Sequence, residues 1–332
     1  MFTLGLRGYN LIFFMKIIIP DISRQIYTKD TLYVLESKYS IIGSMWVNHQ
    51  MEWMGGVYDS FKDHDKFLII IFLVKKTLDF YSRNFTKLSY EQFYMMESIE
   101  IEEFSIKDIS TSLNIPKESA RRKILELENE GVIKKFKKKM IIDKSKFYYS
   151  KPEDSIKRIS RFLSNFSEMC RDEKVLSQQM TSKDLELVIK KNFSYIWKIY
   201  YELQIPMMIT YKNFFKDLET FHIFAVCVVN QHLHVKNISK DLMGREEFLK
   251  NIFANTEIQG INAMSIADIT GIPRATVVRK LKKLVKQKNL TIDDKKHYRL
   301  TGDLIKKLLP TQREVLIRLA NFSTRVFNIA IL

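Results

Sequence analysis

The sequence predicts a mainly α-helical fold with small β-hairpins, arranged as two similar halves of one chain. Glycine and proline are scarce, at 10 and 6 of 332 residues, whereas Phe and Tyr number 23 and 15. Few turn-forming residues and many large apolar side chains favour long packed helices over a turn-rich sandwich. With 46% hydrophobic residues, the chain is long enough for two domains that each bury a core.

Two halves are indicated by short segments that recur in the same order. SRQIYTKD at 23–30 and SQQMTSKD at 177–184 are identical at four of eight positions. Later matches keep a spacing of 153 to 157 residues, and they pair Ser40 with Ser194, NFTK at 84–87 with NISK at 237–240, Lys123 with Lys280, and LSNFS at 163–167 with LANFS at 319–323. We interpret the repeat as two domains about a pseudo-two-fold axis, like a homodimer made covalent. The predicted parts are an N-terminal extension at 1–20, a first repeat at 21–170 and a second at 171–332.

Each repeat contains a segment with the pattern of two helices, a turn between them and a hairpin. The helical pair is predicted at about 104–131 and 264–288, and the hairpins at about 132–143 and 289–301. In the second repeat Ser265 is expected to cap the first helix, Gly271 to form the turn and Pro273 to lead into the next helix. In the first repeat, Asn114 stands at the position of Gly271. It is expected to form the same turn, because Asn tolerates the left-handed conformation.

The second helix of each pair has an apolar stripe at helical spacing and a polar opposite face. The predicted buried residues are Ala120, Ile124 and Leu127 in the first repeat, and Val277, Leu281 and Leu284 in the second. Charge is concentrated in these same regions. Residues 117–146 hold 11 basic and 5 acidic side chains, and residues 274–307 hold 12 and 3, so the rest of a chain of net charge +16 carries about +1. Lysine-rich faces that only keep helices soluble are a weaker explanation, since the runs recur at equivalent places, and a polyanion partner is expected.

DISTSLNIP at 108–116 and TGIPRATVVRKL at 270–281 resemble the winged helix-turn-helix of bacterial regulators of the MarR and IclR families. The resemblance covers about 40 residues per half. It implies two tandem winged-helix units with flanking long helices, in which the second helix of each unit enters the major groove of double-stranded DNA and the hairpin wing contacts the backbone. The residues expected to bind DNA are Lys117, Ser119, Arg121, Arg122, Lys137, Lys138, Lys139, Arg274, Thr276, Arg279, Lys282, Lys283, Lys295, Lys296 and Arg299. MarR proteins carry one such unit per chain, so this chain is expected to act as a monomeric pseudo-dimer or as a homodimer.

The leading hypothesis is a transcriptional regulator that binds specific double-stranded DNA. The alternatives are a plasmid-type replication initiator with tandem winged helices, and a non-enzymatic helical protein that binds RNA or acidic partners through its basic faces. No phosphate loop, carboxylate pair or nucleophile motif stands out, so neither an enzyme nor a cofactor is expected. A metal site at His222, Cys227, His232 and His234 is a weaker interpretation than a buried helix with polar ends.

An effector pocket is one interpretation of the aromatic cluster that contains Phe193, Tyr195, Trp197, Tyr200 and Tyr201, but packing between the halves explains it more simply. Whether the protein binds an effector ligand stays an open question. Cys170 and Cys227 lack the spacing of a zinc or redox pair and indicate a reducing compartment. The N-terminus shows no signal-peptide cleavage site, and the apolar run Phe67–Val74 is too short to span a bilayer. These features predict a cytoplasmic protein without a membrane partner.

Overall fold

The computed structural model describes residues 22–136, 139–146, 152–238, 242–254 and 259–331, and it is mainly helical. The first half contains α1 (Thr28–Ser37), α2 (Tyr39–Phe61), α3 (His64–Arg83), α4 (Tyr90–Met95), β1 (Ser98–Ile101), α5 (Ile106–Leu113), α6 (Lys117–Asn129), β2 (Ile133–Phe136), β3 (Lys139–Asp143) and α7 (Glu153–Asp172). The second half contains α8 (Ser182–Lys191), α9 (Phe193–Phe215), α10 (Leu218–Ile238), α11 (Arg245–Ala254), β4 (Ile261–Asn262), α12 (Ala263–Thr270), α13 (Arg274–Lys286), β5 (Leu290–Ile292), β6 (His297–Leu300) and α14 (Gly302–Ile331). The described elements of the two halves follow one another in the same order. The predicted extension at 1–20 lies outside the described residues.

Each hairpin belongs to a three-stranded antiparallel sheet, with the strand orders β1-β3-β2 and β4-β6-β5. Ile99 pairs with Ile142 in the first sheet, and Ile261 pairs with Tyr298 in the second. The hairpins lie where the sequence predicts them, but the outer strands β1 and β4 were not predicted. At four and two residues, these strands are too short to give a clear alternating pattern.

Side-chain caps and left-handed residues fix the ends of the short helices. Ser105 caps α5 in a reciprocal capping box with Asp108. Asn114 and Gly271 adopt positive φ angles of 48° and 67° after α5 and α12, as their predicted turn roles require. The expectation that Ser265 caps α12 is wrong. Asn262 caps this helix, because its side-chain oxygen accepts hydrogen bonds from the backbone N–H groups of residues 264 and 265 at 2.9 and 3.0 Å.

The helices of the two halves interleave. Helix α1 packs on α14, and in the reciprocal contact α8 packs on α7. Helix α3 packs on α9, and α10 packs on α2 in the same way. The buried apolar side chains form one cluster that runs through both halves. The expectation that each domain buries its own core is therefore wrong, because the helices that would close one half lie against the other.

Matched hydrogen bonds join the halves at the start of α2 and α9. The backbone N–H of Ser40 donates to the carbonyl of Met243 at 3.1 Å, and the N–H of Met243 donates to the Ser40 hydroxyl at 3.0 Å. Ser194 and Leu88 make the same two bonds at 3.0 and 2.9 Å. The two serines aligned by the sequence comparison thus make the same pair of bonds, each to a residue in the other half of the chain.

Helices α3 and α10 lie at the centre of the molecule, as their apolar sequences predict. All but one of the residues from Phe67 to Val74 are buried, and so is the run from Phe221 to Cys227. Tyr39, Trp53, Phe166 and Tyr200 are among the largest fully buried side chains. Within the described ranges, no helix is both long and apolar enough to cross a membrane.

Candidate nucleic-acid interface

Helices α6 and α13 each turn one face to the core and the other to solvent. Each follows a short helix, a left-handed residue and a proline. These turn residues set the direction in which the helix starts relative to the core. The six residues predicted to form the inner stripes are all buried, namely Ala120, Ile124, Leu127, Val277, Leu281 and Leu284. This packing leaves the polar faces of both helices outside.

A buried lysine anchors each of these helices to the helix below it. Lys123 of α6 forms an ion pair with Asp63, the residue that caps α3. Lys280 of α13 does the same with Asp217 at 2.7 Å, and Glu219 lies 3.7 Å from the same ammonium. Burial opposes charge on Asp217, but the bond from Lys280 and those from Thr220 outweigh it and lower the pKa of Asp217.

Sequence reasoning missed the role of these lysines. Both recur at matched positions of the repeat, and each acid stands just before a strongly apolar helix. That recurrence is the signal that could have identified them. Both lysines stabilise the packing of their helices, and because they are buried they add little positive charge for binding an external partner.

We expect Lys280→Met to lower the free energy of unfolding by about 1–2 kcal/mol, because it leaves Asp217 half-buried without its cation; the side-chain exposure of Asp217, 35%, keeps the loss below that of a fully buried pair. Urea denaturation at pH 7 measures the change. Lys282→Met, on the exposed face of the same helix, is the matched control and should change stability by less than about 0.5 kcal/mol. Equal effects of the two variants would show that the buried pair does not anchor α13.

The residues expected to bind DNA lie mostly on these outer surfaces. Those that are exposed are Lys117, Arg121, Arg122, Lys139, Arg274, Arg279, Lys282, Lys295 and Lys296. Those that are partly buried are Ser119, Thr276, Lys283 and Arg299. Lys137 and Lys138, which follow β2 in the sequence, lie outside the described residues.

The two surfaces differ in how far acidic side chains neutralise them. Helix α6 carries four basic and three acidic residues, whereas α13 carries six basic residues and no acidic one. Arg121 lies 4.0 Å from Glu118, and Arg122 lies 3.7 Å from Glu126. On the second surface, no acidic group in the described ranges lies within ion-pair distance of the following six cations: Arg274, Arg279, Lys282, Lys283, Lys295 and Lys296.

Acidic side chains also brace the hairpins. In the first sheet Lys139 pairs with Glu100 at 2.6 Å, and Lys134 pairs with Asp143 at 2.7 Å. The hydrogen bond from Lys134, together with that from Ser145, lowers the pKa of Asp143 to about 2. These bonds shape the first hairpin and reduce its free positive charge.

Of the four residues weighed for a metal site, His222, Cys227 and His232 are buried, whereas His234 is partly exposed. Cys227 donates a weak hydrogen bond to the carbonyl of Ile223 at 3.7 Å, and burial raises the pKa of its thiol to about 12. His222 lies 3.3 Å from His64 across the core. Among the residues that the structure describes, no three metal-ligating side chains come together.

The arrangement offers two outward helices with cationic faces, one of them much less neutralised than the other. Cations on a helix and an adjacent hairpin are suited to phosphate groups, because they spread positive charge over an extended surface. Comparisons with protein-family models, with curated proteins and with solved structures gave no match for this chain.

Proposed function

We propose that this protein binds specific double-stranded DNA and acts as a transcriptional regulator. In this proposal residues 104–143 and 264–301 are winged helix-turn-helix units related by a pseudo-two-fold axis. Helices α6 and α13 enter successive major grooves, and the β2–β3 and β5–β6 hairpins contact the backbone. The observation that carries the proposal is the exposed face of α13, which is cationic, free of acidic partners among the described residues, and held outward by the buried Lys280.

The repeated order of elements supports two reading units in one chain. Helices α6 and α13 are both 13 residues long, and each follows an eight-residue helix. The matched anchors at Lys123 and Lys280 support a common orientation of the two helices on the core. A pseudo-two-fold relation would let both helices face the same side of a duplex.

The outward faces of the two helices differ, which predicts an asymmetric binding site. Glu118 in the first turn of α6 corresponds in position to Ala275 in α13. Side chains near the start of such a helix read base edges, so different residues prefer different bases. A monomer should therefore select two unlike half-sites about 34 Å apart, one turn of the double helix.

The first experiment is selection of the full-length protein on randomised 30-base-pair duplexes, followed by salt titration of the selected site. We expect a non-palindromic site and a binding constant that falls with salt at a log–log slope steeper than about −5, since about six free cations meet phosphates. A perfectly palindromic site would contradict the proposal that a single chain recognises two unlike half-sites. Binding without sequence preference, or equal binding to single-stranded RNA, would favour a general polyanion-binding protein, and no duplex binding at all would overturn the proposal.

A further inference from the structure

A cavity of about 110 Å³ lies between α2, α9, α10, α11 and α14, and it reaches β6 at Leu300. Its walls are mainly aromatic, aliphatic and methionine side chains, and none of them carries a charge. An engineered apolar cavity of about 150 Å³ is known to admit benzene, so this volume is on the scale of a small single-ring molecule.

Three polar side chains in the wall have buried atoms without a hydrogen-bond partner among the described residues, although the amide nitrogen of one of them, Gln312, donates to the Tyr39 hydroxyl. Both amide atoms of Gln50 are buried without a partner, although only 8% of this residue is exposed. The Nδ1 atom of His232 and the Oε1 atom of Gln312 are buried and unpartnered as well. Buried polar groups are costly without hydrogen bonds, so a native structure rarely places several around one cavity without something for them to bind.

The corresponding place in the other half of the molecule is nearly filled. There a cavity of about 40 Å³ is lined by Trp197 and Trp53. Trp197 is the fifth residue of α9, whereas the fifth residue of α2 is Gly43, and the ring of Tyr39 lies where a Cβ atom on Gly43 would be, at 2.5 Å. Trp53 is the fifteenth residue of α2, and the fifteenth of α9 is the smaller Met207, which lines the large cavity.

The glutamine at the twelfth position of each long helix shows the same contrast. In α9 it is Gln204, whose amide nitrogen donates to the Tyr200 hydroxyl at 2.7 Å, while its Oε1 atom lacks a partner among the described residues. In α2 it is Gln50, whose amide nitrogen and oxygen both lack such a partner among the described residues. The chain thus keeps space in one half beside an amide with both groups unpartnered, whereas the equivalent space in the other half is nearly filled and the equivalent amide has one group bonded.

We propose that the cavity beside Gln50 binds a small uncharged molecule, of the size of one aromatic ring, with a hydroxyl or amide group that both donates and accepts hydrogen bonds. Gln50 supplies a donor and an acceptor, and the apolar walls hold the ring. An anion is disfavoured because the wall contains no cation. Burial lowers the pKa of His232 to about 4, so this side chain is neutral at pH 7.

This site does not depend on the proposed DNA binding, although it touches the hairpin next to α13. Leu300 of β6 lines the cavity, and its backbone N–H donates to the side chain of Gln231 at 2.5 Å. Gln231 in turn donates to the carbonyl of Ile252 in α11 at 2.9 Å. An occupant would contact both elements that this side chain joins.

The test is fluorine NMR of 4-fluorophenol with the full-length protein. We expect saturable binding that phenol displaces. The cavity-filling variant Ala225→Leu should lose at least about tenfold in affinity, since its larger side chain takes up the space of the ring. Gln50→Leu should weaken 4-fluorophenol about tenfold and leave fluorobenzene unchanged, since only the phenol uses the amide.

Ile71→Leu, in the wall of the smaller cavity, is the matched control and should bind as wild type does. Circular dichroism confirms the fold of each variant, and Gln50→Leu decides the matter if Ala225→Leu does not fold. The proposal is overturned if wild type shows no saturable binding up to the solubility of the probe, which would indicate a merely hydrated cavity. It is equally overturned if 4-fluorobenzoate binds as well as 4-fluorophenol.

Discussion

The double variant Arg122→Glu/Arg279→Glu is expected to bind the selected duplex at least about 100-fold more weakly than wild type at 100 mM salt, with most of the loss due to Arg279→Glu. Arg279 stands on a helix without acidic residues, so reversing its charge removes one phosphate contact and adds a repulsion. Arg122 already lies 3.7 Å from Glu126, so less positive charge is lost there. We expect about tenfold or more from Arg279→Glu alone and a smaller loss from Arg122→Glu. Fluorescence anisotropy over a range of salt concentrations measures both the affinities and the slopes.

Lys183→Glu is the matched control for these charge reversals. Lys183 is exposed in the first turn of α8, which packs on α7. The same change of charge there should alter duplex affinity by less than about threefold, because long-range effects are screened at this salt. A loss as large as that of Arg279→Glu would mean that net charge alone drives binding. If the double variant binds the duplex as tightly as wild type, the alternative in which the basic faces bind protein would be favoured.

Local features of this fold could be predicted from sequence because they depend on neighbouring residues. Asn114 and Gly271 mark the turns through their backbone preferences, and the stripes on α6 and α13 follow from helical spacing. The interleaving of the halves could not be predicted in this way. The apolar pattern of α1 is the same whether the helix packs mainly on α7 or mainly on α14. Only contacts between residues distant in sequence decide between these two arrangements.

The candidate interface was predictable to a similar extent. A polar face opposite an apolar stripe identifies outward cations, and nine of the residues named from the sequence are exposed. The pairing of these cations with acidic residues was harder to predict from sequence. Glu100, for example, pairs with Lys139 from a neighbouring strand that gave no clear sequence pattern. The cap of α12 shows a local limit, because Asn262 and Ser265 are both good caps and the choice depends on where β4 ends.

A large loss of stability is expected between pH 7 and pH 5, because buried histidines must stay neutral for the chain to fold. Burial, with a smaller effect of Arg158, lowers the pKa of His49 to about 3, and burial lowers the pKa of His222 and His232 to about 4. The pKa of His64 is lowered well below its usual value by burial, by His222 and by Lys123. In the unfolded chain these groups take up protons below about pH 6.5, while in the folded chain His222 and His232 do not until about pH 4 and His49 not until about pH 3. Stability is therefore complete near pH 7 and is lost as pH falls through that window, by about 2 kcal/mol per histidine between pH 7 and 5.

Urea denaturation at half-unit steps from pH 7 to pH 5 gives the number of protons taken up on unfolding. Three such histidines would remove about 6 kcal/mol, a large part of the stability of an ordinary domain, so wild type should unfold near pH 5 with little denaturant. His232→Phe, whose ring can keep the edge contact with Phe248, should reduce the uptake by about one proton and move acid unfolding to lower pH. Phe248→Leu disturbs the same packing without removing a titratable group, so it should lower stability at every pH and leave the slope unchanged. Carboxylates such as Asp143, whose pKa is about 2, lose their contribution only below about pH 4, outside this window. A flat profile between pH 6.5 and pH 5 would mean that the folded chain admits protons to these rings, and hence that water reaches them in the interleaved core.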